Sequence, residues 1–138
     1  MSEKFVKEQV EYNEFALALL ASKAIGIKTP KILSYNEQTK VMIMNKMKFS
    51  NVADFYGDGD DKTPDYIYTK IRKIIKKLYD YGIIFPDITG YNFLLEEKSE
   101  NIWIIDFGHA YVKAPDQPDD EFIIKFINGK NGWNPNFK

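Results

Sequence analysis

Between Thr63-Pro64-Asp65 and Gly82, the residues Ile67, Ile71, Ile74, Ile75 and Leu78 recur every three or four positions. That period places them on one face of a helix ending near Tyr81, and an apolar face of such length has to be covered by other parts of the chain. The flanks supply covers of a different kind. Upstream, residues 31–35 and 40–44 are β-prone runs joined by Asn36-Glu37-Gln38-Thr39; downstream, residues 92–95 and 102–105 repeat the pattern around Glu97-Lys98-Ser99-Glu100. Two hairpins alternating with helices specify an α+β domain, and 138 residues suffice for one core.

Residues 3–23, with Val6, Val10, Leu17 and Leu20 at helical spacing and Gly26 as a stop, are predicted to form one long first helix. A short last helix is expected over 119–127, with Phe122, Ile123, Phe126 and Ile127 on one side. The domain is expected to span residues 1–128. Residues 129–138 then form a tail whose Trp133, Pro135 and Phe137 are too few for a core, so that docking and disorder both stay open. The acidic run Asp58, Asp60 and Asp61 lacks the spacing of a calcium loop and reads as a solvated connection.

The chain has no cysteine, so it can build neither a disulfide framework nor a thiolate metal site, and a reducing, intracellular setting is expected. A net charge of −1 suggests no direct nucleic-acid partner, and no run approaches the length of a membrane span. The start Met1-Ser2-Glu3-Lys4 leads into charged sequence rather than an apolar leader. Abundant Lys, Asn, Ile, Tyr and Phe, with one arginine, Arg72, fit an AT-rich genome such as that of a protist or large DNA virus.

Chemistry concentrates downstream of the second helix. Phosphoryl transfer requires a carboxylate to orient or deprotonate the acceptor and oxygen ligands for the magnesium ions that bridge the phosphates. The stretch Phe85-Pro86-Asp87-Ile88-Thr89-Gly90-Tyr91-Asn92 sets an Asp five residues before an Asn, and Ile104-Ile105-Asp106-Phe107-Gly108 closes the next hairpin. This order resembles the catalytic loop of protein kinases followed by their metal-binding D-F-G motif. The resemblance implies a minimal protein-kinase-like fold that binds ATP with Mg2+. It implies Asp87 as the catalytic carboxylate and Asn92 and Asp106 as metal ligands. Upstream, the helix, Gly26-Ile27-Lys28-Thr29-Pro30 and the hairpin ending Met44-Asn45-Lys46-Met47 resemble the αC helix, strands four and five, and hinge of that family. The small atypical kinase/ATPase of the KEOPS complex is similar in pattern, including a Thr two residues after the catalytic Asp, here Thr89.

By the same resemblance Glu14 would pair with the phosphate-binding lysine, with Glu11 as the alternative. Met44 would be the gatekeeper, the backbone of Asn45, Lys46 and Met47 would meet the adenine edge, and Leu94 and Ile105 would floor its pocket. The pattern also breaks. No Gly-rich strand pair and no lysine-bearing strand are expected ahead of the first helix, where Lys4 or Lys7 could swing toward a bound phosphate but each reads rather as a solvated charge. Phe85-Pro86 replaces the usual His-Arg, and most of the C-terminal lobe is missing. His109, the single histidine, reads as structural rather than as an aid to phosphate chemistry. Three functions follow from the resemblance: phosphotransfer to protein Ser/Thr or slow ATP hydrolysis, a pseudokinase that regulates a kinase or another partner by mimicry, and transfer to a small molecule, as in aminoglycoside and choline kinases. Self-association is expected from a sheet edge without cover.

Overall fold

The computed structural model describes residues 3–137. The strands β1 (Lys4–Lys7), β2 (Ile32–Asn36) and β3 (Val41–Asn45) form an antiparallel sheet with β3 in the middle. Lys4 stands opposite Asn45, Phe5 opposite Met44 and Lys7 opposite Met42.

One helix over residues 3–23 does not form. Residues 4–7 are strand, the chain turns at Gln9 in the left-handed region (φ 57°), and the first helix, α1 (Tyr12–Leu20), begins only after Val10 has bonded to Lys40 O. Val6 and Val10 fit a helical period, but Val6 lies on a strand and Val10 is a fully buried residue of the turn. Alternation explains the strand: Phe5 and Lys7 face inward and Val6 outward. Helix α1 runs on through a wider turn, Ala21–Ile25, and ends at Gly26, whose φ of 79° suits a residue without a Cβ.

The second half is built on helices and small sheets. Strand β4 (Ser50–Asn51) leads directly into α2 (Val52–Tyr56), where the Asn51 side chain accepts the Asp54 N–H at 2.7 Å and caps the helix. Helix α3 (Asp65–Asp80) buries Ile67, Ile71, Ile75 and Leu78 as its period predicts, and adds Tyr68. Strand β5 (Ile83–Ile84) pairs antiparallel with β8 (Tyr111–Val112), while β6 (Phe93–Glu96) and β7 (Asn101–Ile104) form the expected second hairpin, with β4 on its edge. Helix α4 (Glu121–Ile127), capped by Asp120, packs Ile123 and Phe126 into the core beside α3.

Of the two alternatives for the tail, docking is observed. Trp133 is buried, with its ring 4.7 Å from that of Tyr68 and 6.3 Å from that of Phe93. Arg72 holds the turn before it by donating to the Phe126 and Asn131 carbonyls. No helix among the described residues is long and apolar enough to cross a membrane.

Candidate active site

Between the first sheet and the β6–β7 hairpin lies a cleft of about 370 Å3. That is inside the range of about 300–1,000 Å3 common for small-molecule sites. The walls are apolar. Met44 and Met47 come from β3 and the segment after it, and Leu94 and Ile105 come from the hairpin opposite. Asn45 and Lys46 also line it, so all the residues expected around an adenine converge here. The Asn45 and Lys46 amides already donate to Lys31 O and Glu3 O, at 2.9 and 2.8 Å. Among the described residues the Met47 amide has no partner, and it is the first backbone donor free for a ligand.

Charge gathers at one end. Lys7, on the inward face of β1, forms an ion pair with Glu14 on α1, and its ammonium lies 3.3 Å from Asp106 Oδ1. Burial pulls the Lys7 ammonium down, but the bonds and charges of Glu14 and Asp106 together outweigh it and hold it above its ordinary value. Glu14 is thus brought to the lysine. Glu11 is not: it pairs with Lys40 on the surface at 2.8 Å. The expectation that no lysine strand precedes the helix is overturned by β1. Of Lys4 and Lys7, it is Lys7 that reaches Glu14 and Asp106; what the sequence reading missed is the strand that carries it, and the alternation of Phe5 and Lys7 about Val6 is the signal that could have shown it.

Asp106 follows β7 in a left-handed conformation (φ 66°), uncommon for a residue with a Cβ. Its Oδ1 accepts the Gly108 N–H at 3.1 Å, which turns the carboxylate back toward Lys7. Gly108 packs closely on the two carboxylates: a Cβ there would stand 3.0 Å from Asp106 Oδ1 and 3.4 Å from Glu14 Oε1, so either side chain would have to give way slightly. Phe107 is buried edge-on against Phe85 at 5.2 Å, tying this turn to the segment that carries Asp87.

Asp87 is half-buried between β5 and the short Gly90–Asn92 turn. Burial pushes its carboxyl up and the Asp106 charge adds to that, while the bond to Asn92 and the nearby His109 pull the other way; the net direction is up. Asn92 is buried and its Nδ2 donates to Asp87 O at 2.9 Å, which leaves Oδ1 as the free end of the amide. His109 is exposed, with its ring against Phe137 at 5.1 Å.

The donors here are a carboxylate and an amide oxygen, the hard ligands that Mg2+ prefers. No group of three His, Cys, Asp or Glu suited to a metal occurs among the described residues. Two protein ligands nevertheless fit a Mg2+ that takes its remaining ligands from phosphates and water.

A model of the RIO domain matches residues 2–126. The chain belongs to the RIO family. This RIO chain is 28% identical over 111 residues to the RIO-type serine/threonine-protein kinase Rio2 of Methanocaldococcus jannaschii, a match that covers 78% of the chain and 37% of the relative. It is 36% identical over 110 residues to the 3-deoxy-D-manno-octulosonic acid kinase of Vibrio cholerae, covering 76% and 46%. The solved structure of the Cydia pomonella granulovirus kinase PK-1 superposes with a TM-score of 0.60 at 16% identity, over 80% of the chain and 44% of the viral protein. The last likeness shows a shared kinase-like fold. The RIO chain spans less than half the length of each of these proteins.

Proposed function

We propose that this RIO chain binds ATP with Mg2+ in the cleft and transfers the terminal phosphoryl group to a hydroxyl, on a protein serine or threonine or on water. The observation that carries this reading is the convergence of Lys7, Glu14 and Asp106 at one end of an apolar cleft, with the raised carboxyl of Asp87 beside Asp106.

The adenine lies between Met44, Met47, Leu94 and Ile105, with its edge on the Met47 amide. Lys7 meets the phosphates, and Glu14 keeps its ammonium turned toward them. Asp106 and Asn92 would hold the metal, which when bound neutralises charge that develops on the phosphates. Asp87 orients the acceptor hydroxyl and takes its proton. A carboxyl shifted upward is a better base for that proton than an ordinary surface aspartate.

Of the other two readings, a regulatory decoy rests on the lack of a lysine strand, and the pairing of Lys7 on β1 with Glu14 speaks against it. Transfer to a small molecule is favoured by the 36% identity to a sugar-acid kinase. The exposed side of Asp87 suits either acceptor.

The deciding test is calorimetric titration of ATP, with and without Mg2+, into the wild-type chain and Asp106→Ala. Metal-dependent binding that the substitution removes is the expected result. Absence of binding at millimolar nucleotide in the wild type would end the enzyme reading. Phosphate release against a serine-rich protein and against a sugar acid then separates the acceptors.

A further inference from the structure

Asp87 is carried by irregular backbone, where a side chain is held only as firmly as the bonds around it. Inside the loop, Ile88 N–H donates to Pro86 O at 2.8 Å and Thr89 N–H to Asp87 O at 3.1 Å. The carbonyls on either side of Asp87 share one further partner. The Asn134 main-chain N–H donates to Ile88 O at 2.8 Å, and its side-chain Nδ2 donates to Pro86 O at 2.8 Å. Asn134 is 6% exposed, and its Oδ1 accepts the Asn136 N–H at 3.1 Å. Each of these three groups is therefore bonded in a place where an unpaired polar atom would be costly.

The bond to Pro86 O fixes the peptide plane directly before Asp87 and the bond to Ile88 O fixes the plane after Ile88, while Asp87 O itself is held by Thr89 N–H and Asn92 Nδ2, so that Asn134 clamps the chain on both sides of Asp87. Asn134 is in turn fixed by its neighbours. Trp133 is buried against Tyr68 and Phe93, and its N–H donates to Asp60 Oδ1 at 3.1 Å. Gly132 is pressed onto the same carboxylate, so closely that a Cβ would come within 2.7 Å of Asp60 Cγ. This segment lies past residue 126, where the RIO match ends.

We propose that Asn134 is a positioning residue for Asp87, so that the reactive site extends beyond the span the family model covers. The proposal rests on the reading of Asp87 as the group that receives the acceptor proton. Asparagine is the required type. Alanine keeps only the main-chain bond, and aspartate keeps the shape and the bond from Asn136 but turns a carboxylate oxygen on Pro86 O with no proton between them. Reacting groups displaced by about 1 Å lose roughly a hundredfold in rate.

The test uses the full chain with Asn134→Asp and Asn134→Ala, and Ile123→Val in α4 as a control that lowers stability away from the loop. Three quantities are read: hydrolysis of ATP·Mg with water as acceptor, calorimetric affinity for ATP·Mg, and amide hydrogen exchange. The expected result is a kcat lowered at least tenfold in both Asn134 variants, with KM for ATP and affinity within twofold of wild type. Exchange should speed up at the Ile88 and Thr89 amides in these variants and not in the control. Unchanged kcat and exchange overturn the proposal. So does a loss of rate, affinity and protection spread over the whole chain, which would mark Asn134 as a structural tie alone. If the wild type neither binds nor hydrolyses ATP, it is the phosphotransfer reading that fails. Local loss of protection at Ile88 and Thr89 then still upholds Asn134 as what fixes Asp87, and unchanged protection overturns that too.

Discussion

Removing the Lys7 ammonium leaves Glu14, whose side chain is 10% exposed, with no cation paired to it among the described residues. Lys7→Met is therefore expected to lower stability by about 1–3 kcal/mol and to weaken ATP·Mg binding at least tenfold. Adding Glu14→Gln should restore part of the stability and none of the affinity, which thermal melts and calorimetry on the two variants can check. Asp87 carries the opposite kind of tension. Its carboxyl is raised in the folded chain, so the folded state holds the proton more tightly than the unfolded state, and stability falls as pH rises through the window between the two values. Asp87→Asn removes that cost: the melting temperature should exceed that of the wild type at pH 7, the difference should vanish below the unfolded aspartate range, and turnover should be lost with ATP·Mg still bound. That Asp87, Asn92 and Asp106 come together was legible in the sequence, because their spacing lies within one loop and one hairpin. The strand that brings Lys7, rather than Lys4, to them was not, since it exists only through pairing with β3, and the Val6 and Val10 spacing satisfies a helix equally well.

Elements are legible in proportion to their length. Helix α3 repeats its apolar period over 16 residues and stands where that period predicts. Helix α2 has five residues and β4, β5 and β8 have two each, too short for any period to show. Their importance lies in what they press against. The loop of Asp87 and Asn92 crosses α2 at Gly90, where a Cβ would stand 3.0 Å from the Ala53 backbone nitrogen and 3.2 Å from its Cα. A backbone neighbour cannot rotate away as a side chain can. Gly90→Ala should thus cost about 1–3 kcal/mol in denaturant unfolding and should lower kcat by moving the loop. The β5–β8 pair does a similar service, bringing the residues just before Asp87 beside those just after the D-F-G turn.

At the scale of the whole molecule, the cleft is closed on one side by a sheet and on the other by a hairpin, and a nucleotide between them would join the two. Binding only to the folded state raises stability by about 2.7 kcal/mol at a hundredfold excess over Kd. For a chain of this size that is a rise of roughly 10 °C in melting temperature. The rise should require Mg2+, and Asp106→Ala should abolish it. The tail left two alternatives open from sequence because three apolar residues carry no pattern. Its place is decided by a site on the body, the ring-lined slot at Tyr68 and Phe93, which exists only after α3 and β6 have met.

The two tryptophans sit in unlike places. Trp133 is sealed in the core, whereas Trp103 is only partly covered; its Nε1 donates to Glu96 at 2.9 Å, Lys28 lies over its face, and Phe49, which lines the cleft, stands 6.1 Å away. The chain thereby carries two built-in optical probes of different events. With Trp103 replaced by Phe, the emission maximum should stay blue until the core opens. With Trp133 replaced by Phe, the surviving signal belongs to the neighbourhood of the cleft, so that the proposed nucleotide occupancy should be visible by light without a label.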